Sequence, residues 1–512
     1  MVFHATGHIA NSFLTAHRRH RTMNHPKGMI VAGKYGELLV REKAGERLEL
    51  GELLVARDDT GHPLLLQVTD LGYGSQVSQQ NRELLSGLAI EDGVELTLQD
   101  AHLRTYTLAA CKPLLDLQTM QSPKGLPAAF TEVFAVQLSD VKFAQPSNAV
   151  FLGNLRSGSK EIPVPVLVDA KEALTHHILI AATTGRGKSN LMKVLLQDIL
   201  EKDYASMLVF DPHAEYADAL VGKRLAVYSK DPAPGEFTLA INIGQLRPAH
   251  FDGVVDWSEA QRDALRLYYR QYGETWIQQI LVEEMPFNRA IGEGTFGVLK
   301  RKLSLLLSLE AEGLSVVSRG PFTTHGGTTT IPDITQRLIS GGVVVVETAA
   351  LSNDAEVLMA MLLATDVYER WKREKPGRIL SICMEEAPRF IGEDALKAGP
   401  NVFSQIAREG RKFGVGLVAI TQLPSLIPRQ VLANINTKVI LGIEMAPERR
   451  AIIDSSPQDL TKDDRVIASL QKGEAIVTST FTAFATPVRV PLHKKPVRNT
   501  SSIINGLKTE GF

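Results

Sequence analysis

The sequence predicts an α/β protein: a parallel sheet covered by helices on both faces, preceded by a small β-barrel and interrupted by a helical bundle. Three observations predict it. From residue 178 onward, near-continuous apolar strands alternate with helical patterns, the texture of a sheet buried on both faces. Before residue 146, short alternating runs stand between Gly- and Asp-rich turns, the spacing of a small antiparallel barrel or sandwich. Between about residues 245 and 330, aromatic and aliphatic side chains recur at helical spacing.

At 512 residues the chain can bury large cores, and its length suggests roughly three domains. A formal net charge of −1 advertises no global basic excess, so a nucleic-acid surface would have to be local, such as the inner wall of a ring or channel. Cys111 and Cys383 lie far apart, form no metal-ligand spacing and point to a reducing compartment. No apolar run approaches the length of a membrane span, and residues 1–20 lack a signal-peptide core. The expected setting is cytoplasmic, with no membrane partner.

Residues 1–25 carry the cluster His17-Arg18-Arg19-His20-Arg21, read as a basic tail. Residues 26–146 form the barrel domain, with strands at Met29-Ile30-Val31, Glu37-Leu38-Leu39-Val40, Leu53-Leu54-Val55-Ala56, Leu64-Leu65-Leu66-Gln67-Val68, Val94-Glu95-Leu96-Thr97-Leu98 and Tyr106-Thr107-Leu108-Ala109. Turns fall at Asp58-Asp59-Thr60-Gly61, Gly72-Tyr73-Gly74-Ser75 and Glu91-Asp92-Gly93, and residues 76–86 can be helical. Residues 147–480 form the core. Its strands are Ile178-Leu179-Ile180, residues 206–211, 225–228, 343–347, 379–384, 415–421 and 438–442, with helices at 355–373 and 401–412. Within the insertion, Ser258 and Gln261 make a capping box ahead of Ala264, Leu265, Tyr268, Tyr269 and Tyr272. Two more helices present Trp276, Ile277, Ile280 and Leu281, then Phe296, Leu299, Leu303, Leu306 and Leu307; the aromatic stripe reads as bundle core rather than a base-stacking platform. Residues 318–332 read as a loop and 481–512 as an extended C-terminal brace.

The chemistry gathers at Ala181-Ala182-Thr183-Thr184-Gly185-Arg186-Gly187-Lys188-Ser189, between the strand at Ile178 and a helix opening at Leu191. This reads as a phosphate-binding loop: backbone N–H groups of Thr184, Gly185, Arg186, Gly187 and Asn190 around an anion, Lys188 on the outer phosphates, Ser189 on Mg²⁺. Ala182 stands where the pattern G-x-x-x-x-G-K-[ST] has its first glycine. A later apolar strand ends in Glu385-Glu386, which would place Glu385 near Mg²⁺ and Glu386 as general base. Gln422, at the tip of the strand from Val415, would sense the γ-phosphate or orient water. Arg408 and Arg411, in the cluster Arg408-Glu409-Gly410-Arg411-Lys412, would stabilise transition-state charge in a neighbour's site if subunits form a ring. Thr461-Lys462-Asp463-Asp464 matches a guanine signature but follows no apolar strand, so ATP is the expected nucleotide.

Asp211-Pro212-His213-Ala214-Glu215-Tyr216, Glu385-Glu386-Ala387 and the run from Ile406 to Gly414 leading to Thr421-Gln422 together resemble the HerA branch of the HerA/FtsK translocases. That resemblance covers most of the chain and implies a RecA-like P-loop core, an N-terminal β-barrel, a helical insertion and a C-terminal brace. It implies a homo-hexameric ATPase ring that moves double-stranded DNA and partners a nuclease of the NurA type in end resection. It also implies that Asp211 and Glu215 lie near the nucleotide, with Asp211 counted among the catalytic residues, that Glu386 is catalytic, and that Arg411, with Arg408, acts in trans. Ala182, and Pro388 where the family often has histidine, depart from its pattern. A rival reading keeps the same pocket but makes the ring an ATP-controlled scaffold for an effector, a nuclease or NAD-consuming enzyme, in anti-phage defence.

Overall fold

The computed structural model describes residues 25–57, 61–93, 104–141, 145–399 and 401–495. Two compact units divide the chain after Val141, where the sequence reading put the boundary near Pro146. The cluster at His17, the turn residues 58–60 and the strand expected at Val94 lie outside the described residues.

The first unit is a closed barrel of six strands: Gly28–Lys34, Glu37–Glu42, Thr105–Asp116, Pro63–Ser75, Leu53–Arg57 and Glu132–Ala135, in that order around the wall. Alternate side chains such as Ile30, Leu38, Val40, Leu54, Leu66, Val68 and Val133 fill its interior. Two departures from the sequence reading have physical causes. Gly72 and Gly74 make no turn; they extend the strand Pro63–Ser75, where a Cβ on Gly74 would meet the Tyr106 ring at 2.2 Å. Glycine there serves close approach. The barrel is closed by Glu132–Ala135, which pairs with both Gly28–Lys34 and Leu53–Arg57 and is too short to register as a pattern. The helix is Gln79–Glu91, capped by the Ser78 hydroxyl.

In the second unit the fold class is the expected one. A 12-stranded sheet runs Phe237–Thr238, Leu225–Ser229, Val343–Glu347, Ser206–Asp211, Leu380–Met384, Val415–Thr421, Ile178–Ala181, Thr437–Leu441, Glu474–Ser479, Thr486–Arg489, Ala149–Ser157, Lys160–Asp169. Every pairing up to Thr437–Leu441 is parallel, and every pairing beyond it antiparallel. The parallel strands are apolar and almost wholly buried because helices, such as Lys188–Lys202 and Asn353–Glu374, cover the sheet. The antiparallel extension was not foreseen. Its hairpin turns at Gly158 with φ 58°, and Thr486–Arg489, read as part of an extended brace, is a strand inside the sheet.

The insertion holds Glu259–Tyr272, Trp276–Val282 and Glu293–Leu307. Both arms of the Ser258–Gln261 capping box are formed, and Gly273 ends the first helix at φ 55°. Tyr268 and Trp276 are fully buried, and Tyr268 stacks on Phe296 at 5.8 Å, so these aromatics are core. An unforeseen hairpin, Leu309–Glu312 with Ser315–Ser318, follows. The helix Thr330–Ser340 begins inside the stretch read as a loop. Among the described residues no helix is long and apolar enough to cross a membrane.

Candidate nucleotide site

Strand Ile178–Ala181 lies between Val415–Thr421 and Thr437–Leu441 and delivers its loop at the carboxyl edge of the parallel strands. Gly185 and Gly187 take φ 79° and 109°, a region that side chains with a Cβ avoid. Gly187 is the N-cap of Lys188–Lys202 and offers no side-chain cap, unlike Ser258, Ser352 or Asn401 on other helices. The first-turn N–H groups and the positive end of the helix are thus left for an anion. Ala182 is fully buried, donates its N–H to Thr421 O at 3.2 Å, and is absent from the residues with positive φ. Its backbone is one that alanine adopts freely, so the missing glycine imposes no strain.

Lys188 Nζ donates to Ala182 O at 3.1 Å. Burial lowers its pKa, against the opposing pull of the Glu386, Glu385 and Glu215 carboxylates. Thr184 Oγ1 donates to Gln422 Oε1, and Gln422 Nε2 donates to Glu386 Oε1 at 3.2 Å. A hydrogen-bonded path therefore joins the loop to the second glutamate. Glu386 holds φ 50°, the left-handed region, which costs a residue of its type about 1–2 kcal/mol.

Glu385 is 9% exposed; Tyr216 OH donates to its Oε1, and His213 Nε2 lies 4.0 Å from Oε2. Its carboxyl is pushed up to about 7, chiefly by burial and further by Asp211 and Glu215, with Tyr216 and His213 pulling the other way. Asp211 is fully buried, and burial raises its pKa too. Its carboxylate accepts from the N–H groups of His213 at 3.2 Å and Tyr216 at 3.0 Å. Through these bonds its oxygens anchor the loop that follows the strand.

Two loop side chains are also engaged elsewhere. The Arg186 guanidinium pairs with Glu444 and donates to Leu470 O at 3.1 Å. The Asn190 amide donates to Pro491 O at 2.9 Å and accepts from His493 N at 2.8 Å. Both side chains are thus engaged away from the loop's anion face, and the Arg186 N–H itself donates to Thr183 O at 3.4 Å. Among the described residues no group of three or more His, Cys, Asp or Glu is placed to hold a metal ion. Mg²⁺ with a nucleotide needs only one or two protein ligands, because phosphate and water supply the rest. The Ser189 hydroxyl opening the helix and the Glu385 carboxylate fit that requirement.

Residues 150–309 match the family described as "Helicase HerA, central domain". The DNA double-strand break repair helicase HerA of Saccharolobus solfataricus is 26% identical over 91% of this chain and 92% of its own length. That of Sulfolobus acidocaldarius is 25% identical over 87% and 89%, and a probable helicase of Methanocaldococcus jannaschii 23% over 88% and 92%. Over most of its length the chain is similar to helicases of the HerA family.

Two arginines expected at a HerA site stand apart from it. Helix Val402–Glu409 and the turn Gly410–Phe413 precede strand Val415–Thr421, whereas Gln422 follows it. Seven strand residues separate Arg411 from the loop by about 20 Å at ~3.3 Å per residue. Arg411 lines a cavity of about 850 Å³ with Lys171, Lys375 and Arg378; Arg408 lines another of about 710 Å³ with Arg247, His250 and Glu369. Neither arginine lies beside the phosphate loop of its own chain. Pro388, the HerA departure after Glu386-Ala387, occupies the start of helix Pro388–Ile391, where its missing N–H removes no bond. At the guanine-like signature, Asp463 is the N-cap residue of Asp464–Ser469 without a side-chain cap bond, Asp464 pairs with Arg449 at 2.7 Å, and residues 456–463 leading into it are not a strand. Tyr216 on Glu385 was not found from the sequence; the motif spanning Asp211 to Tyr216 was visible, but a contact across 169 positions is not.

Proposed function

We propose that the chain is an ATP-driven translocase of double-stranded DNA, assembled as a homo-hexamer with Mg-ATP bound between neighbours, working with a nuclease on DNA ends. The observation that carries this reading is the path from Thr184 through Gln422 to Glu386, which ties the phosphate loop to a carboxylate able to take a proton from water. Lys188 and the first-turn N–H groups neutralise the triphosphate, and Glu386 orients and deprotonates the attacking water. The Ser189 hydroxyl and, through water, the Glu385 carboxylate would hold Mg²⁺, which would supply charge neutralisation for the phosphates. Arg411, about 20 Å from its own loop, reaches the pocket of an adjacent subunit. The curated relatives, named as DNA double-strand break repair helicases, support DNA as the substrate.

The test is ATP hydrolysis by the isolated chain with and without linear double-stranded DNA at low salt. A several-fold stimulation that fades as salt rises is expected, because phosphate contacts release counterions. Absence of stimulation would favour the scaffold reading, in which the same pocket gates an effector enzyme.

A further inference from the structure

Glu386 reaches toward the loop from a backbone conformation that disfavours any side chain with a Cβ, so something must hold it there. The hydrogen bonds around it name the holders. Ala387 N–H donates to Ile420 O at 2.9 Å, fixing the turn to the strand that carries Gln422. Arg389 N–H donates to Glu386 O at 2.9 Å, so the left-handed residue is closed into the first turn of Pro388–Ile391. The Arg389 side chain is itself anchored: Nη1 donates to Glu356 Oε2 at 2.9 Å. Glu356 is 3% exposed in the first turn of helix Asn353–Glu374, whose N-cap Ser352 is formed. Burial raises the Glu356 pKa and the Arg389 charge opposes it most, so Arg389 is the charged partner that makes this buried carboxylate tolerable.

Resting on the reading of Glu386 as the base, we infer that the Glu356–Arg389 ion pair is a positioning device for it: the pair locks Arg389 in place, and Arg389 N–H holds the Glu386 turn in its left-handed form with the carboxylate against Gln422. Neither residue touches the nucleotide. Both act through the backbone of the turn, where an error of about 1 Å in the base would cost on the order of 100-fold in rate.

Removing Arg389 alone strands a buried carboxylate and would confuse positioning with stability. The informative variant is therefore the double substitution Arg389→Ala with Glu356→Gln, compared with Arg389→Lys and with Glu386→Gln. Steady-state hydrolysis, binding of a fluorescent ATP analogue and thermal melting are read for each. The double variant should melt near the parent and bind the analogue within about two-fold, yet turn over about 10- to 100-fold more slowly. Arg389→Lys, which keeps the charge and one hydrogen bond, should recover part of that rate. If the double variant hydrolyses ATP within about three-fold of the parent while Glu386→Gln is dead, the pair positions nothing and the inference falls, with the base reading intact. A parallel loss of analogue binding overturns it as well, since the pair would then support the pocket at large. Retained hydrolysis in Glu386→Gln removes the base and its positioning device together.

Discussion

At Glu385 the cost of building the site is visible in one side chain. Its carboxyl has an ordinary pKa of 4.5 and is pushed up to about 7, mainly by burial. The unfolded chain therefore loses this proton near 4.5 and the folded chain near 7, so folding binds a proton in between and stability falls as pH rises through that window. Above it the penalty is constant at about 3 kcal/mol. Glu385→Gln should accordingly raise the melting temperature of the nucleotide- and magnesium-free protein more at pH 8 than at pH 5; equal shifts at both would refute the assignment. The positions readable in advance were those of Glu386 and Gln422 just past the ends of apolar strands, because a strand end fixes where a side chain emerges, and of Lys188 and Ser189 at the start of the helix after the loop. What the sequence concealed is which atom takes each group. Asp211, Arg186 and Asn190 have the right chemistry and position, yet backbone groups and Glu444 already engage them.

Elements were legible to the extent that burial was two-sided. Val343–Glu347, Leu380–Met384 and Val415–Thr421 declare themselves by uninterrupted apolar runs. Ala149–Ser157 and Lys160–Asp169 mix polar residues with apolar ones, and Thr486–Arg489 is too short and too interrupted by proline to stand out. Capping chemistry was more readable than strand membership. The Ser258 hydroxyl accepts from Gln261 N at 3.3 Å while Gln261 Oε1 accepts from Ser258 N at 3.1 Å. Ser258→Ala should lower stability by about 1 kcal/mol, measured by urea denaturation, without altering analogue affinity. A loss of affinity would mean that the insertion reports on the pocket.

For the whole molecule, the separation of Arg411 from its own loop decides what assembly must do. If the arginine serves a neighbour, Arg411→Ala subunits should bind ATP normally but assemble into inactive rings. Mixing them with Lys188→Ala subunits should restore a fraction of the rate, since some interfaces then combine an intact loop with an intact arginine. Mixtures no more active than either parent would confine Arg411 to a structural part. This level was the least readable from the chain itself, because subunit contacts leave no period or spacing in a sequence.

One small contact reaches beyond the pocket. The Asn190 amide grips both Pro491 O and His493 N, His493 reaches Ala219 O, and Val490 N–H is tied to Gly473, whose own N–H is bound to Arg186 O of the phosphate loop. Late and early parts of the chain are thus knotted at the first turn of the helix that would carry the triphosphate. A tilt of that helix would therefore pass directly to Pro491 and His493 and, through His493, to Ala219, so a nucleotide held at the helix start would be felt at the far end of the sheet's last described segment.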